Sequence, residues 1–250
     1  MQRFARTEPA PGVVVLTMDR PAKLNAMDQV WFRELRDLMA GLGVDDGVRA
    51  VVLTGSGRAF SAGGDIDVFA DLAGDVVRVR PHLRLVYDAF CSVERCAVPV
   101  VAAVNGLAYG GGTELALACD VVLAAESARF AFKEPTVGLT PGYGIVRGPE
   151  VIGRHWTRYL ALTGREIDAH RAERAGLVQE VHPDAELLPA AVQLATEIAA
   201  HPPLAVQVGK AFVNRDAVGG FSESVEAVAL LFGTPEHRAA VTAFRAARGR

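Results

Sequence analysis

The residues whose types and spacing suit chemistry are two glycine turns and two carboxylates. Gly110-Gly111-Gly112 falls between a β-branched, apolar run over 98–104 and an Ala- and Leu-rich run over 115–119. That is where a strand buried on both faces hands over to a short buried helix. Glycines there present bare backbone N–H groups, and the helix N-terminus adds partial positive charge, which suits a negatively charged oxygen. Phe60-Ser61-Ala62-Gly63-Gly64-Asp65-Ile66 is a second stretch of small residues beside a strand end. Two such N–H groups converging on one oxygen form an oxyanion hole, which stabilises charge developing on a carbonyl. Glu114 opens a helix in apolar surroundings, and Glu134 is held at a strand end by the rigid Pro135. Two carboxylates facing one water or one carbon can divide the work of general base and general acid. Crowding them in a low-dielectric pocket favours one ionised and one protonated member. The combination of Gly64, Gly111, Glu114 and Glu134 suits a carbonyl compound activated at its α and β carbons, with neither metal nor redox cofactor.

Each of these residues also has a plainer reading. A glycine triplet makes a tight turn that packs against a neighbour, Asp65 makes a turn or caps a helix, and Glu134 pairs with a cation at the surface. Tyr143 and His155 lie near glycines without a partner carboxylate or serine at readable spacing, and both read as structural. A serine hydrolase lacks its Gly-x-Ser-x-Gly elbow here, and Gly110-Gly111-Gly112 lacks the Gly-x-Gly-x-x-Gly spacing of a dinucleotide site.

The elements that must position these groups alternate between strands and helices. Strands are expected at 12–18, 50–54, 98–104, 121–124 and 128–132, and near 181. An apolar stripe of Trp31, Leu35, Leu38, Met39 and Leu42 after a cap at Asp28 marks the first helix. Residues 67–80 carry no periodicity and read as a variable segment, with a helix from about His82 to Val93. Helices follow near 145–152 and 155–163, and Asp168 caps a short one through Ala175. From Asp184 onward only helices are read, the last started by Thr234-Pro235-Glu236. Such alternation argues for an α/β fold with parallel pairing.

At 250 residues with half of them apolar, the chain can bury a full core. Its net charge of −3 argues against a dedicated nucleic-acid surface, and Arg78, Arg80 and Arg84 read as a solvated helix face. No apolar run approaches a membrane span and no signal-peptide pattern opens the chain. Three cysteines without metal-like spacing point to reduced thiols and a cytoplasmic protein. The six scattered histidines suggest no metal site.

In combination, Phe60-Ser61-Ala62-Gly63-Gly64-Asp65-Ile66, residues 105–115 and Phe132-Lys133-Glu134-Pro135 resemble the three signature segments of the enoyl-CoA hydratase/isomerase (crotonase) superfamily. Residues 19–26 resemble its coenzyme A loop, and 163–165 with 172–178 resemble the helical segment that follows. The resemblance runs from about residue 12 to residue 250. It implies an α/β fold of the crotonase type, a spiral of ββα units over 1–183, with a helical region over 184–250 that serves trimerisation and covers the acyl pocket.

By the same resemblance, the N–H groups of Gly64 and Gly111 match the oxyanion hole for a thioester carbonyl, and Glu114 and Glu134 match the glutamates that hold and activate water. Lys23, Leu24, Ala26, Ala62, Asp65 and Ile66, with Tyr109 and Gly110 beside the glycine turn, lie along the coenzyme A and substrate groove. Several residues depart from the commoner pattern. Gly64 stands where many hydratases have alanine, the order Ala22-Lys23-Leu24 is altered, and Pro135 and Tyr143-Gly144-Ile145-Val146 change the acyl-pocket wall. The activity expected is 2-enoyl-CoA hydration, of the kind used in fatty acid metabolism, by a homotrimer or a pair of trimers. Coenzyme A is part of the substrate, and no cofactor, metal, nucleic acid or membrane is expected. The alternatives are an enoyl-CoA isomerase or other enolate chemistry on the same fold, and a non-catalytic acyl-CoA binder.

Overall fold

The β-branched apolar runs become the strands of one buried sheet. In a computed structural model, which describes residues 2–214 and 221–248, these are β2 (Val13–Met18), β3 (Ala50–Gly55), β5 (Val100–Val104), β7 (Val121–Ala125) and β10 (Glu180–His182). All five run parallel in the order given, with β1 (Phe4–Ala10) antiparallel at the β2 edge. Every residue of β3 and of β5 is buried, as a parallel strand covered on both faces requires.

A second, smaller sheet holds β4 (Ala59–Ser61), β6 (Leu107–Tyr109), β8 (Arg129–Ala131) and the antiparallel β9 (Ile167–Asp168). The chain steps from β3 to β4, from β5 to β6 and from β7 to β8, and each step is followed by helix. This repeated ββα unit is the spiral of the crotonase type. Both sheets advance in the same order, so the ends of β4, β6 and β8 lie side by side.

Helix α1 (Gln29–Leu42) starts where Asp28 accepts a hydrogen bond from the Trp31 amide, and it buries Trp31, Phe32, Leu35, Met39 and Leu42. It packs on α3 (Val76–Arg95). The segment 67–80, expected to be irregular, instead forms α2 (Ile66–Leu72) and the first turn of α3. Asp65 and Asp75 cap these two helices, and Pro81 sits inside α3 rather than at its start. Helix α4 (Gly111–Ala118) is short and almost wholly buried. Next come α5 (Gly144–Val151), α6 (Gly153–Thr163) and α7 (Ala169–Arg174), the last capped by Asp168 as expected.

Beyond Asp184 the described residues are helical: α8 (Leu187–Ala199), α9 (Pro203–Asn214), α10 (Phe221–Phe232) and α11 (Pro235–Arg248). Residues 215–220, 249 and 250 of the expected C-terminal region lie outside the described residues. Helix α8 packs across β2, β3, β5 and β7, and its Leu187, Ala191 and Ala195 are buried. Helix α10 packs on α3, while α11 packs on α2 and on the 3-10 turn Glu134–Val137. No helix among the described residues is long and apolar enough to cross a membrane.

Candidate active site

Three strand ends of the second sheet build the site. At the end of β6, Gly110 takes φ 52° and ψ −119°, a conformation that strongly favours glycine, and α4 begins at the next residue. The Gly110 amide donates to the Ala131 carbonyl at 2.8 Å, and the Thr113 hydroxyl joins Ala108 O at 2.6 Å to the Ala131 amide at 3.2 Å. These bonds fix β6 against β8, so the segment after β8 delivers Glu134 beside the start of α4. A Cβ on Gly110 would lie 2.7 Å from Glu134 Oε1.

The other glycine turn meets the first from the end of β4. Gly63 has φ 86°, and a Cβ there would lie 3.1 Å from the Gly111 amide nitrogen. A Cβ on Gly111 would lie 3.7 Å from the Gly64 nitrogen, and one on Gly112 would lie 2.4 Å from Ser61 O. Both amides are left without a partner among the described residues, for reasons of local geometry. Met27 and Gly64 pair as a parallel bridge in which the Met27 amide donates to Gly63 O and the Asp65 amide donates to Met27 O, each at 2.9 Å. The Gly64 N–H therefore points away from Met27. The Gly111 N–H opens a helix, where no carbonyl precedes it in register.

Both glutamates face one cavity of about 60 Å³, which Gly64, Gly111, Glu114, Glu134, Phe69 and Phe90 help to line. Larger hollows lie elsewhere, one of about 650 Å³ on the outer face of α1 beside Arg6 and Glu34. Neither glycine turn reaches that hollow, so the chemistry of the lining, not its size, selects the site.

Glu114 is 6% exposed, and its Oε1 accepts from the Gly144 amide at 2.8 Å. Burial raises its pKa to about 7, against the pull of the Gly144 and Tyr143 amides, which favour the charged form. Glu134 as a residue is only half-buried, but its Oε2 is sealed from solvent with no hydrogen-bond partner among the described residues. Burial, and then the charge of Glu114, lift its pKa well above the usual carboxylate range. Burial thus disfavours charge on both carboxyl groups, and the two amides at Glu114 oppose that effect there. The surface ion-pair reading of Glu134 does not describe this environment.

Phe69 covers Gly64 so closely that a Cβ there would come within 2.4 Å of its ring. The glycine at 64, a departure from the commoner alanine, thus makes room for Phe69.

The segment 20–27 is clamped beside Gly64. Leu24 and Asn25 take left-handed conformations (φ 51° and 55°), Asn25 Nδ2 donates to Ser56 O and Ala59 O, and the Ala62 amide donates to Leu24 O. Lys23 is exposed and pairs with Asp67 at 3.0 Å. The Asp65 carboxylate caps α2 through the Asp67 amide and accepts from Arg20 at 3.1 Å, so its side chain is occupied structurally. Ala26 is buried and Ile66 opens α2. Tyr109 does not line the cavity; its hydroxyl donates to Glu166 at 2.6 Å and Lys133 sits 5.0 Å over its ring.

Two positions gain a role that their sequence context did not suggest. Tyr143 is buried, its amide and that of Gly144 brace Glu114, and its hydroxyl donates to Glu94. Glu94 in turn grips Arg147 through two hydrogen bonds. The glycines at 142 and 144 were the available signal. His155, by contrast, is exposed on α6.

A test of this geometry follows from Gly110. Gly110→Ala places a methyl group against the Glu134 carboxylate and strains a positive φ. Activity is expected to fall by about 10²-fold or more, the scale of a displaced general acid or base, with stability lowered by about 1 kcal/mol. Steady-state kinetics beside a urea melt would check it, and wild-type turnover would contradict the placement of Glu134.

Residues 8–245 match the family described as Enoyl-CoA hydratase/isomerase. Among curated relatives, the chain is 36% identical to the 2,3-dehydroadipyl-CoA hydratase of Escherichia coli, over 93% of this chain and 91% of that one. It is 38% identical to the mitochondrial Delta(3,5)-Delta(2,4)-dienoyl-CoA isomerase of Homo sapiens, over 87% of this chain and 70% of that one. Among solved structures, an enoyl-CoA hydratase/isomerase from Mycobacterium paratuberculosis superposes with a TM-score of 0.90 at 32% identity, covering 96% of this chain and 98% of that one. A match running from residue 8 to residue 245 leaves little of the chain outside it: the protein belongs to the enoyl-CoA hydratase/isomerase family.

Proposed function

We propose that the protein is a 2-enoyl-CoA hydratase. The observation that carries this reading is the pair of carboxylates facing one cavity, Glu114 braced by the Gly144 amide and Glu134 with its Oε2 buried and unpartnered among the described residues, beside two unpartnered backbone amides. The thioester carbonyl oxygen lies between the Gly64 and Gly111 N–H groups, which stabilise the negative charge that gathers there as the β carbon is attacked. Glu114, ionised, takes a proton from a water held between the carboxylates, and the hydroxide oxygen bonds to the β carbon. The double-bond electrons pass to the α carbon, which takes the proton of Glu134. Proton exchange between the two carboxyl groups restores the starting state. Coenzyme A belongs to the substrate and the reaction calls for no cofactor. Its chain lies along Lys23, Leu24, Ala26, Ala62, Asp65 and Ile66, while Tyr109 and Gly110 stand beside the glycine turn, outside the lining of the cavity itself.

The relatives named as isomerases support a second reading, in which one glutamate shuttles a proton between carbons of the same enolate. Two retained carboxylates favour hydration, because proton shuttling needs only one. A purely binding role gives no reason to bury two acids together. The reading extends to a homotrimer or a pair of trimers, supported by the exposed apolar Leu204, Val208 and Val213 along α9. It also extends to a reducing, cytoplasmic setting, supported by three free thiols.

Product identity from a 2-enoyl-CoA and a 3-enoyl-CoA supplied in parallel separates the readings. A hydratase turns the first into a 3-hydroxyacyl-CoA, whereas an isomerase moves the double bond of the second and adds no water. The pH profile adds a further check. Because Glu114 must be ionised and its pKa stands at about 7, kcat is expected to rise with pH through about 7. Because Glu134 must be protonated, kcat falls again at higher pH. A profile flat from about pH 5 to 9 would contradict these roles.

A further inference from the structure

His82 takes no part in the chemistry just described, yet it stands in the wall of the same cavity. It lies on α3, is 5% exposed, and meets the Phe32 ring edge-on at 6.0 Å. Its Nδ1 is buried without a hydrogen-bond partner among the described residues. Buried polar atoms are ordinarily paired, so an unpaired one in a cavity wall is a ready partner for a polar group that enters the cavity. The wall around it is otherwise largely apolar, with Phe32, Leu83, Val86, Phe90, Val228 and Phe232.

We propose that His82 is a specificity-determining residue that hydrogen-bonds a hydroxyl group carried on the acyl chain beyond the β carbon. This rests on the reading of the cavity as an acyl-CoA thioester site. With the β carbon held between Glu114 and Glu134, the remainder of the chain must run among the apolar residues that surround His82. A hydroxyl both donates and accepts, so it satisfies Nδ1 in either tautomer of the ring. An unsubstituted chain that expels water from the cavity leaves Nδ1 unpaired. A terminal carboxylate fits less well. The cavity already holds two carboxyl groups, and no Lys or Arg stands among its described lining residues. Burial also lowers the His82 pKa to about 4, which leaves the ring neutral near physiological pH.

The test uses saturated thioesters, which can be neither hydrated nor isomerised, so binding reports on the pocket whichever reaction the site performs. Dissociation constants would be measured by calorimetry for hexanoyl-CoA, for its isomers hydroxylated on the fourth, fifth or sixth carbon, and for the terminal carboxylate of equal length. At least one hydroxylated isomer is expected to bind about tenfold tighter than hexanoyl-CoA. His82→Leu is expected to abolish that ratio, and His82→Gln, which still donates and accepts, to keep part of it. Equal binding of all the saturated thioesters, preference for the carboxylate, or a hydroxyl preference that survives His82→Leu would overturn the role of His82 alone. Binding of none of them would overturn the thioester reading, and the proposal with it. Should His82→Leu fail to fold, the parent's ratios and their change in His82→Gln decide the matter.

Discussion

Replacing Glu114 or Glu134 with glutamine is expected to lower hydration of a 2-enoyl-CoA by about 10³-fold while making the protein more stable above neutral pH. The activity loss follows from removing one member of a general acid–base pair, whose contribution is typically about 10²–10⁴-fold. The gain in stability follows from linkage. Burial raises the Glu114 pKa from 4.5 to about 7, so the native state binds its proton more tightly than the unfolded chain does. The resulting penalty on folding is absent below about pH 4.5, grows between 4.5 and 7, and persists above. At about pH 8 it is on the order of 3 kcal/mol. Glutamine cannot ionise, yet its Oε1 can still accept from the Gly144 amide. Urea melts of Glu114→Gln against the parent are therefore expected to diverge as pH rises and to converge near pH 4. A difference independent of pH would show that Glu114 is not held in a low-dielectric site. Stability given up for a strained pair of acids is a common signature of active sites.

Glu94→Ala is expected to cost about 3–5 kcal/mol, because it leaves the Arg147 guanidinium buried without its two-pronged partner. The Arg147 side chain is 5% exposed and Glu94 also accepts the Tyr143 hydroxyl, so a single truncation withdraws a carboxylate from two buried donors. Glu150, which also pairs with Arg147, is 56% exposed and meets it at Nη1. For a chain of this size the melting temperature should fall by roughly 10 °C. Activity should fall too, because Tyr143 and Gly144 hold Glu114 through their amides. Glu94→Gln, which keeps one acceptor, should fall between. A melt within about 0.5 kcal/mol of the parent would show that the Glu94–Arg147 pair does not hold this region together.

The parts of this molecule legible in the sequence are those encoded locally. Residues 100–104 and 50–55 declare themselves by uninterrupted apolar, β-branched runs, and Gly110, Gly111 and Gly64 by the turns that only a bare backbone permits. Strand β1 is not legible in the sequence because most of its residues are exposed and it carries no apolar pattern. Strands β4 and β6 are three residues each and read as parts of glycine turns. The helical content of 67–80 was masked by Gly74 between two short caps and by Pro81, whose usual place at a helix start moved the expected boundary of α3. The bracing of Glu114 was invisible for another reason. Glu94 and Arg147 are separated by 53 residues and meet only when α3 packs beside α5. The same holds for Tyr143, whose hydroxyl meets Glu94 across a separation of 49 residues, and for Phe69, whose fit over Gly64 appears only in three dimensions.

The most direct test of hydration through paired carboxylates is to incubate the purified protein with crotonyl-CoA and follow the conjugated enoyl absorbance, with Glu134→Gln in parallel. Rapid loss in the parent, little in the variant, and a product heavier by one water are the expected results. An absorbance that stays constant in the parent, although the thioester binds, would contradict hydration of this substrate and move the reading to isomerisation or to an unusual acyl group.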